Sequence, residues 1–254
     1  MEYWYRYRDD LYKRITLNES KESSYHERHE IPEQKLVSNI RRAARMIESY
    51  ALCNPWDWFG TFTLNKKYRD RKDLDKFRES FMQLIRNSRR QFGDIEALLV
   101  PELHKDKDGW HIHGLLSGLP VDALRPFTLD EKLPKYIRDK LIKNEKVYDW
   151  PIYRNSFGFV DIEPIKNRDA AARYVSKYMA KNSQTVTAKS LQGGKHLYYV
   201  TRGLLQPEVI IKQENSGCIP ESLPKNIIPG KSYEFEYGVV EWFEALNITN
   251  DIRR

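Results

Sequence analysis

Residues 95–117, IEALLVPELHKDKDGWHIHGLLS, decide the fold of this chain. Two apolar segments, residues 95–103 and 110–117, flank a Lys/Asp/Gly stretch at residues 105–109 that is typical of a turn. This pattern predicts two antiparallel strands joined as a β-hairpin. Because side chains two positions apart in a strand point to the same face, we expect His111 and His113 to project together.

The segments on either side of this hairpin alternate between helix and strand patterns. Apolar residues recur at helical spacing in residues 35–52 and 70–92, and the aromatic and β-branched run at residues 58–64 is typical of a strand. Downstream, residues 157–162 and 196–201 predict strands, and Asn167 is suited to cap a helix that runs to about residue 181. The order predicts an α+β fold, in which a central antiparallel β-sheet is backed by helices.

We expect three regions along the chain. Residues 1–34 are polar and rich in tyrosine and charge, and we interpret them as an N-terminal extension with a short strand at residues 3–7. Residues 35–207 contain the predicted sheet and helices, with a proline-containing insertion at residues 119–155 that includes a basic helical piece near residues 136–143. Residues 208–254 are interpreted as a C-terminal extension with one apolar piece at residues 237–248.

The composition excludes several classes of protein. With 254 residues, 40% hydrophobic and 13% aromatic, the chain can form a core and is not typical of a disordered protein. No stretch approaches 18 uncharged apolar residues, so we expect no membrane span, and the N-terminus MEYWYRYRDD lacks the apolar segment of a secretory signal. Two cysteines are too few for a disulfide framework, so we expect a cytoplasmic location.

Positive charge is concentrated in two blocks. The net charge is +7, yet residues 35–90 carry 14 Lys or Arg against 6 Asp or Glu, and residues 166–202 carry 8 against 1. Such blocks in an otherwise acidic chain predict a surface for a polyanion, usually nucleic acid, although solvated helix faces have the same composition. The residues that we expect to contact DNA phosphates are Arg41, Arg42, Arg45, Lys66, Lys67 and Arg173.

The His-Ile-His sequence indicates a metal site. Imidazoles at positions i and i+2 of a strand lie about 6.6 Å apart and can bind one ion, and hairpin pairing can bring Glu102 or His104 to the same side. Glu102 is the preferred third ligand and His104 the alternative. Two histidines with a carboxylate suit Mn²⁺ or Mg²⁺, although zinc or cobalt can bind such a set in vitro. An isolated pair would equally fit ordinary histidines, but three of the chain's six histidines lie within ten positions here.

Residues 174–181, YVSKYMAK, contain two copies of Tyr-x-x-Lys offset by four positions. On a helix, residues i and i+4 share a face, so Tyr174 and Tyr178 are expected to project together, each with a lysine three positions on, Lys177 and Lys181. A phenol is a weak nucleophile until a cation or a metal favours the phenolate. The alternative interpretation is an ordinary apolar stripe that packs in a core.

Together these motifs resemble those of the HUH endonucleases, specifically the replication initiators of rolling-circle plasmids and small phages. Residues 61–64, TFTL, look like the family's first motif, residues 111–113 like its metal motif and residues 174–181 like its nucleophile motif. The flanks CNPWDWF (residues 53–59) and YYVTRGL (residues 198–204) look like the branch carried by phages and plasmids of Gram-positive bacteria. The resemblance covers roughly residues 36–207 and leaves the insertion and both ends unmatched.

This resemblance implies a metal-assisted transesterification. A divalent ion, Mn²⁺ or Mg²⁺, held by His111, His113 and Glu102 would polarise the scissile phosphate of single-stranded or extruded origin DNA. Attack by tyrosine would give a 5′-phosphotyrosyl adduct and a free 3′-OH, and a second transesterification would later rejoin the strand.

The roles of the other motif residues follow from the same resemblance. Tyr174 is preferred over Tyr178 as the first nucleophile, although the doubled tyrosine is similar to that of initiators from icosahedral phages, in which two tyrosines take turns. Lys177 and Lys181 would assist the phosphate. Host DNA polymerase would extend the 3′-OH, and since no GxxxxGK[ST] motif is present, a host helicase would unwind the DNA.

Three alternatives remain open from the sequence. A relaxase or transposase of the same superfamily would share the chemistry but act on a different DNA site. A non-catalytic DNA-binding autorepressor would explain the charge without the histidines and tyrosines. A metal-dependent hydrolase that activates water would form no covalent adduct.

Overall fold

The computed structural model describes residues 1–17, 32–68, 70–104, 109–182, 196–214, 216–235 and 238–246. The chain divides into two compact units, one formed by Ile31–Leu204 and the other by Met1–Glu30 together with Leu205–Arg254. No helix in these described ranges is long and apolar enough to cross a membrane.

The helices and strands follow in chain order. They are β1 (Glu2–Arg8), β2 (Leu11–Leu17), α1 (Pro32–Cys53), β3 (Trp58–Thr63), α2 (Leu74–Phe92), β4 (Glu96–Leu103), β5 (Trp110–Ser117), β6 (Arg125–Pro126), α3 (Lys135–Ile142), β7 (Tyr148–Asp149), α4 (Pro151–Ser156), β8 (Val160–Pro164), α5 (Arg168–Asn182), β9 (Tyr199–Val200), β10 (Glu208–Gln213), β11 (Ile227–Phe235) and β12 (Gly238–Ala245).

In the larger unit, the described strands form a seven-stranded antiparallel sheet in the order β6-β7-β8-β3-β5-β4-β9. The predicted α+β architecture is therefore confirmed. Helix α2 begins at Asp73, whose carboxylate accepts a hydrogen bond from the Lys76 amide at 3.0 Å, and ends at Gly93, where φ is +93°. Its buried stripe, which includes Phe77 and Phe81, packs on one face of the sheet.

Strand β3 shows how the two faces of this sheet differ. Trp58 and Phe62 are buried in the core that faces α2. Gly60 lies between them and pairs with Gly114 of β5, and a Cβ at Gly60 would lie 2.7 Å from the ring of Phe62. The alternate residues of β3 point to the opposite face and are only half-buried.

Residues 119–155, expected to be an insertion, are integrated into this unit. Strands β6 and β7 extend the sheet beyond β8, and Trp150 and Tyr153 lie in the main core. A smaller cluster of Phe127, Ile137 and Val147 packs α3 against this part of the sheet.

Two predicted strands are shorter than the sequence pattern suggested. The strand expected at residues 157–162 begins at Val160 because Phe157 closes α4, with its amide donating to the Tyr153 carbonyl at 2.8 Å. The strand expected at residues 196–201 is limited to Tyr199 and Val200, the two residues that pair with β4.

The smaller unit joins the two ends of the chain, which the sequence analysis treats as separate extensions. Its described strands form a five-stranded antiparallel sheet in the order β10-β1-β2-β12-β11, so β1 pairs with β10 and β2 with β12. One face of the sheet carries Trp4, Tyr12 and Phe243, which are buried with Leu223 and Ile227. The expected strand at residues 3–7 is confirmed within β1.

Candidate active site

The candidate site lies on the face of the seven-stranded sheet opposite α2. The register of the predicted hairpin places Glu102 directly opposite His111 and diagonally from His113, so all three side chains share that face. On the other side of β5, strand β3 pairs Thr63 with His111 and Thr61 with His113. Two histidines are thus flanked by a carboxylate on one strand and by two hydroxyls on the other.

The threonine hydroxyls orient both imidazoles. Thr63 Oγ1 is hydrogen-bonded to His111 Nδ1 at 2.8 Å, and Thr61 Oγ1 lies 3.4 Å from His113 Nδ1. In metal sites, a hydrogen bond at one ring nitrogen fixes the tautomer and leaves the other nitrogen to bind the ion. The sequence analysis quoted these threonines within a motif but assigned them no role.

The protonation of His111 also suits a ligand. Burial is the main cause that lowers the pKa of His111 to about 4, and the neighbouring His104 and His113 act in the same direction. The imidazole is therefore neutral at pH 7, the form that binds a metal.

The third donor, Glu102, contacts His113 in this structure. Its Oε2 lies 2.7 Å from His113 Nε2, while the ring of His104 stacks on His111 with centroids 4.8 Å apart. Within the described residues, no group of three or more His, Cys, Asp or Glu side chains is arranged to hold a metal ion. The donor chemistry nonetheless fits a divalent cation, because two imidazoles and a carboxylate share one face, and metal binding would replace the bond between Glu102 and His113.

Tyr174 of α5 reaches this face through Phe59. The Phe59 ring stacks on His113 at 6.1 Å between centroids and meets the Tyr174 ring edge-on at 5.1 Å. Helix α5 packs on β4 and β5 through a buried side that includes Val175, and Tyr174 remains 49% exposed. The structure therefore brings Tyr174 to the same face as the histidines and leaves its ring accessible.

Three other predicted residues share the helix with Tyr174. Lys177, Tyr178 and Lys181 lie within α5, as expected, but their side chains are outside the described part of the structure. The predicted helix start is confirmed, since Asn167 Oδ1 accepts a hydrogen bond from the Ala170 amide at 2.8 Å.

Asp161 of β8 is a candidate site residue that the sequence analysis missed. It pairs with Thr61 and is 2% exposed on the same face as the histidines, and the Tyr136 hydroxyl donates to its Oδ1 at 2.7 Å. Burial raises the pKa of Asp161 to about 6, although the hydrogen bond from Tyr136 opposes this effect. The available signal in the sequence is an acidic residue between Val160 and Ile162, at the centre of a strand.

The predicted DNA-binding residues all lie on the surface. Arg41, Arg42 and Arg45 are exposed on α1, which packs beside α5, and Arg173 is exposed on α5 next to Tyr174. Lys66 and Lys67 are exposed in the turn that follows β3, close in sequence to Thr63. Their contacts with DNA remain predictions.

Comparison with known proteins identifies the family. The family model for the replication-associated protein ORF2 matches residues 57–183, half of the chain, from β3 to the end of α5. The matched region contains Glu102, both histidines of the hairpin and Tyr174. No curated protein and no solved structure showed a significant match. The chain therefore belongs to the replication-associated protein ORF2 family.

Proposed function

We propose that this protein initiates rolling-circle replication by nicking single-stranded or extruded origin DNA with a tyrosine nucleophile. Family membership supports a role in replication. The observation that carries the nicking mechanism is the shared sheet face, where Glu102 and two oriented histidines lie beside the accessible ring of Tyr174.

His111, His113 and Glu102 are the proposed ligands of a divalent ion, Mn²⁺ or Mg²⁺. The hydrogen bonds at Nδ1 favour Nε2 as the ligating atom of each imidazole. When bound, the ion would polarise the scissile phosphate and stabilise the charge that develops on it. Glu102 is preferred over His104 because the hairpin register places it opposite His111, whereas His104 lies beyond the end of β4 and stacks on that ring.

Tyr174 is the proposed nucleophile. Its phenolic oxygen forms a bond to phosphorus as the bond from phosphorus to the 3′ oxygen breaks, and the phenolic proton finally resides on the released 3′-OH. One phosphodiester replaces another, so the step is reversible and requires no nucleotide cofactor. The same exchange in reverse, with Tyr178 as the proposed second nucleophile, rejoins the strand, and Lys177 and Lys181 are proposed to neutralise the phosphate.

The proposal also assigns the partners. The exposed arginines of α1 and α5 and the lysines of the turn after β3 would contact backbone phosphates, and binding would weaken as salt rises. Host DNA polymerase would extend the 3′-OH and a host helicase would displace the strand, in the cytoplasm of a bacterial cell that carries the replicon.

The nucleophile can be tested by trapping the covalent adduct. The protein is incubated with Mn²⁺ and single-stranded oligonucleotides tiled across its replicon, and products are analysed by denaturing gel and intact mass. We expect a mass increase equal to the 5′-attached fragment in the wild type and none in the variant that combines Tyr174→Phe and Tyr178→Phe. The matched control is Tyr136→Phe, because burial beside Asp161 raises the pKa of Tyr136 and disfavours its phenolate.

The other outcomes decide between classes of protein. Cut oligonucleotide without an adduct would establish a hydrolase that uses water, and tight binding without cutting would establish a DNA-binding module. An adduct that survives in the double variant but is lost in Tyr136→Phe would refute the assigned nucleophiles.

The metal ligands can be tested by calorimetric titration of the full chain with Mn²⁺. Glu102→Gln and His113→Gln are expected to abolish measurable binding, whereas the matched variant His104→Gln retains it. Loss of binding in His104→Gln with retention in Glu102→Gln would assign the third ligand to His104 instead.

A further inference from the structure

The smaller unit has one sheet face that carries both aromatic and basic side chains. Strand alternation and register place Tyr3 and Tyr5 of β1, Lys13 of β2, Trp242 of β12 and Lys212 of β10 on the face opposite the Trp4 core. Tyr3 pairs with Lys212, and Lys13 lies between Tyr5 and Trp242 on three neighbouring strands. Aromatic rings and ammonium groups thus alternate across the sheet.

The lysines are held against the rings. Lys13 Nζ lies 4.8 Å from the centroid of the Trp242 ring, which in turn lies 5.0 Å from the ring of Tyr7. Lys212 Nζ lies 5.5 Å from the centroid of the Tyr3 ring. Tyr3, Tyr5 and Trp242 are only partly buried, so part of each ring surface is accessible to a ligand.

Acidic residues of the sheet lie mainly on the other face. Glu2 and Glu241 share the face of Trp4, where Arg14 Nε is bonded to Glu241 Oε2 at 2.6 Å. The aromatic face has Glu244 at one end of β12, opposite Leu11. The centre of this face is therefore positive and suits an anionic ligand.

We propose that this aromatic face binds single-stranded DNA, with bases stacked on Tyr3, Tyr5 and Trp242 and phosphates bound by Lys13 and Lys212. Stacking requires a base whose ring face is exposed, which a single strand offers and a duplex does not. Antiparallel sheets with aromatic side chains on an open face bind single-stranded nucleic acid in this manner. DNA is favoured because the chain belongs to a replication-associated family. This binding uses neither the proposed metal ligands nor Tyr174.

The proposal can be tested by fluorescence anisotropy of the full chain with fluorescein-labelled dT20 in EDTA, where metal-assisted cutting is prevented. Tyr3→Leu keeps an apolar side chain but removes the ring, and we expect binding to weaken about fivefold or more. Lys212→Gln is expected to reduce the slope of log K against log salt concentration by about 0.7, the value for one phosphate contact in a single strand.

The matched control is Arg6→Gln, which removes a positive charge from the opposite face of the same strand, where Arg6 is bonded to Glu208 at 2.7 Å. Its affinity and salt slope should equal those of the wild type. Circular dichroism of each variant verifies that the unit is folded, and Lys212→Gln supplies an independent result if Tyr3→Leu unfolds.

Photocrosslinking to an oligonucleotide that contains 5-iodouracil locates the contact. Adducts on Tyr3, Tyr5 or Trp242 are expected. Crosslinks confined to residues 31–204, together with unchanged affinity of both variants, would overturn the proposal, and tighter binding of rU20 than of dT20 would overturn the choice of DNA. Failure of the nicking assay with these results intact would refute the nicking mechanism alone.

Discussion

Replacing Asp161 by Asn is expected to stabilise the protein at neutral pH. The carboxyl is buried on the candidate site face, and its pKa rises from the ordinary 3.8 to about 6. Below pH 3.8 the group is neutral in both the folded and the unfolded chain. As the pH rises through 6, the folded chain must also ionise it, so the unfolded chain gains relative stability.

The magnitude follows from the two pKa values. A pKa difference between 3.8 and about 6 corresponds to a loss of about 3 kcal/mol in the free energy of unfolding at about pH 7.5. At about pH 4.5 most of the folded chain still holds the proton, and the same relation leaves a loss of about 1 kcal/mol. Asp161→Asn removes this loss and retains an oxygen that can accept the hydrogen bond from Tyr136.

Urea denaturation of the wild type and the variant, in EDTA and at both pH values, measures the effect. We expect the advantage of Asp161→Asn at the higher pH to exceed that at the lower pH by about 2 kcal/mol. The matched control is Asp122→Asn, because that carboxylate is exposed, and no pH-dependent difference is expected. An equal advantage at both pH values would refute the argument from burial. Reduced nicking by the stabilised variant would indicate that the site retains this carboxylate at a cost in stability.

Three further predictions concern the supports of the site and the sheet. Thr63→Val should weaken Mn²⁺ binding about 10- to 100-fold in calorimetry by releasing His111, with a smaller loss for Thr61→Val because its hydrogen bond is longer; equal losses would contradict this order. Asp149→Ala should lower the free energy of unfolding by about 3 kcal/mol, because the buried carboxylate bonds Arg154 at 2.5 Å; a change within about 0.5 kcal/mol, the limit for surface substitutions, would refute this. Gly158→Ala should lower the melting temperature, since its φ is +143° and a Cβ would lie 2.7 Å from the Thr63 carbonyl oxygen; an unchanged melting curve would show that this backbone tolerates a side chain.

Local patterns were sufficient for much of the larger unit. The hairpin at residues 95–117 was predictable because alternation and a turn sequence act over a few residues, and its parity placed Glu102 on the side of the histidines. Helix α2 was predictable from its apolar stripe, and the start of α5 from the cap at Asn167. The motifs at residues 111–113 and 174–181 also indicated the chemistry, since imidazole and phenol are scarce and functional in such spacing.

Tertiary structure alone decided which strands flank these motifs. Thr61, Thr63 and Asp161 gain their places because β3 pairs with both β5 and β8, and no local period specifies a strand's distant neighbours. The pairing of β1 with β10 joins residues separated by about 200 positions, so two ends that look like independent extensions form one sheet. The sequence by itself thus determined the elements and the reactive residues, whereas the long-range pairing of strands, stabilised by burial of side chains remote in the chain, determined their surroundings.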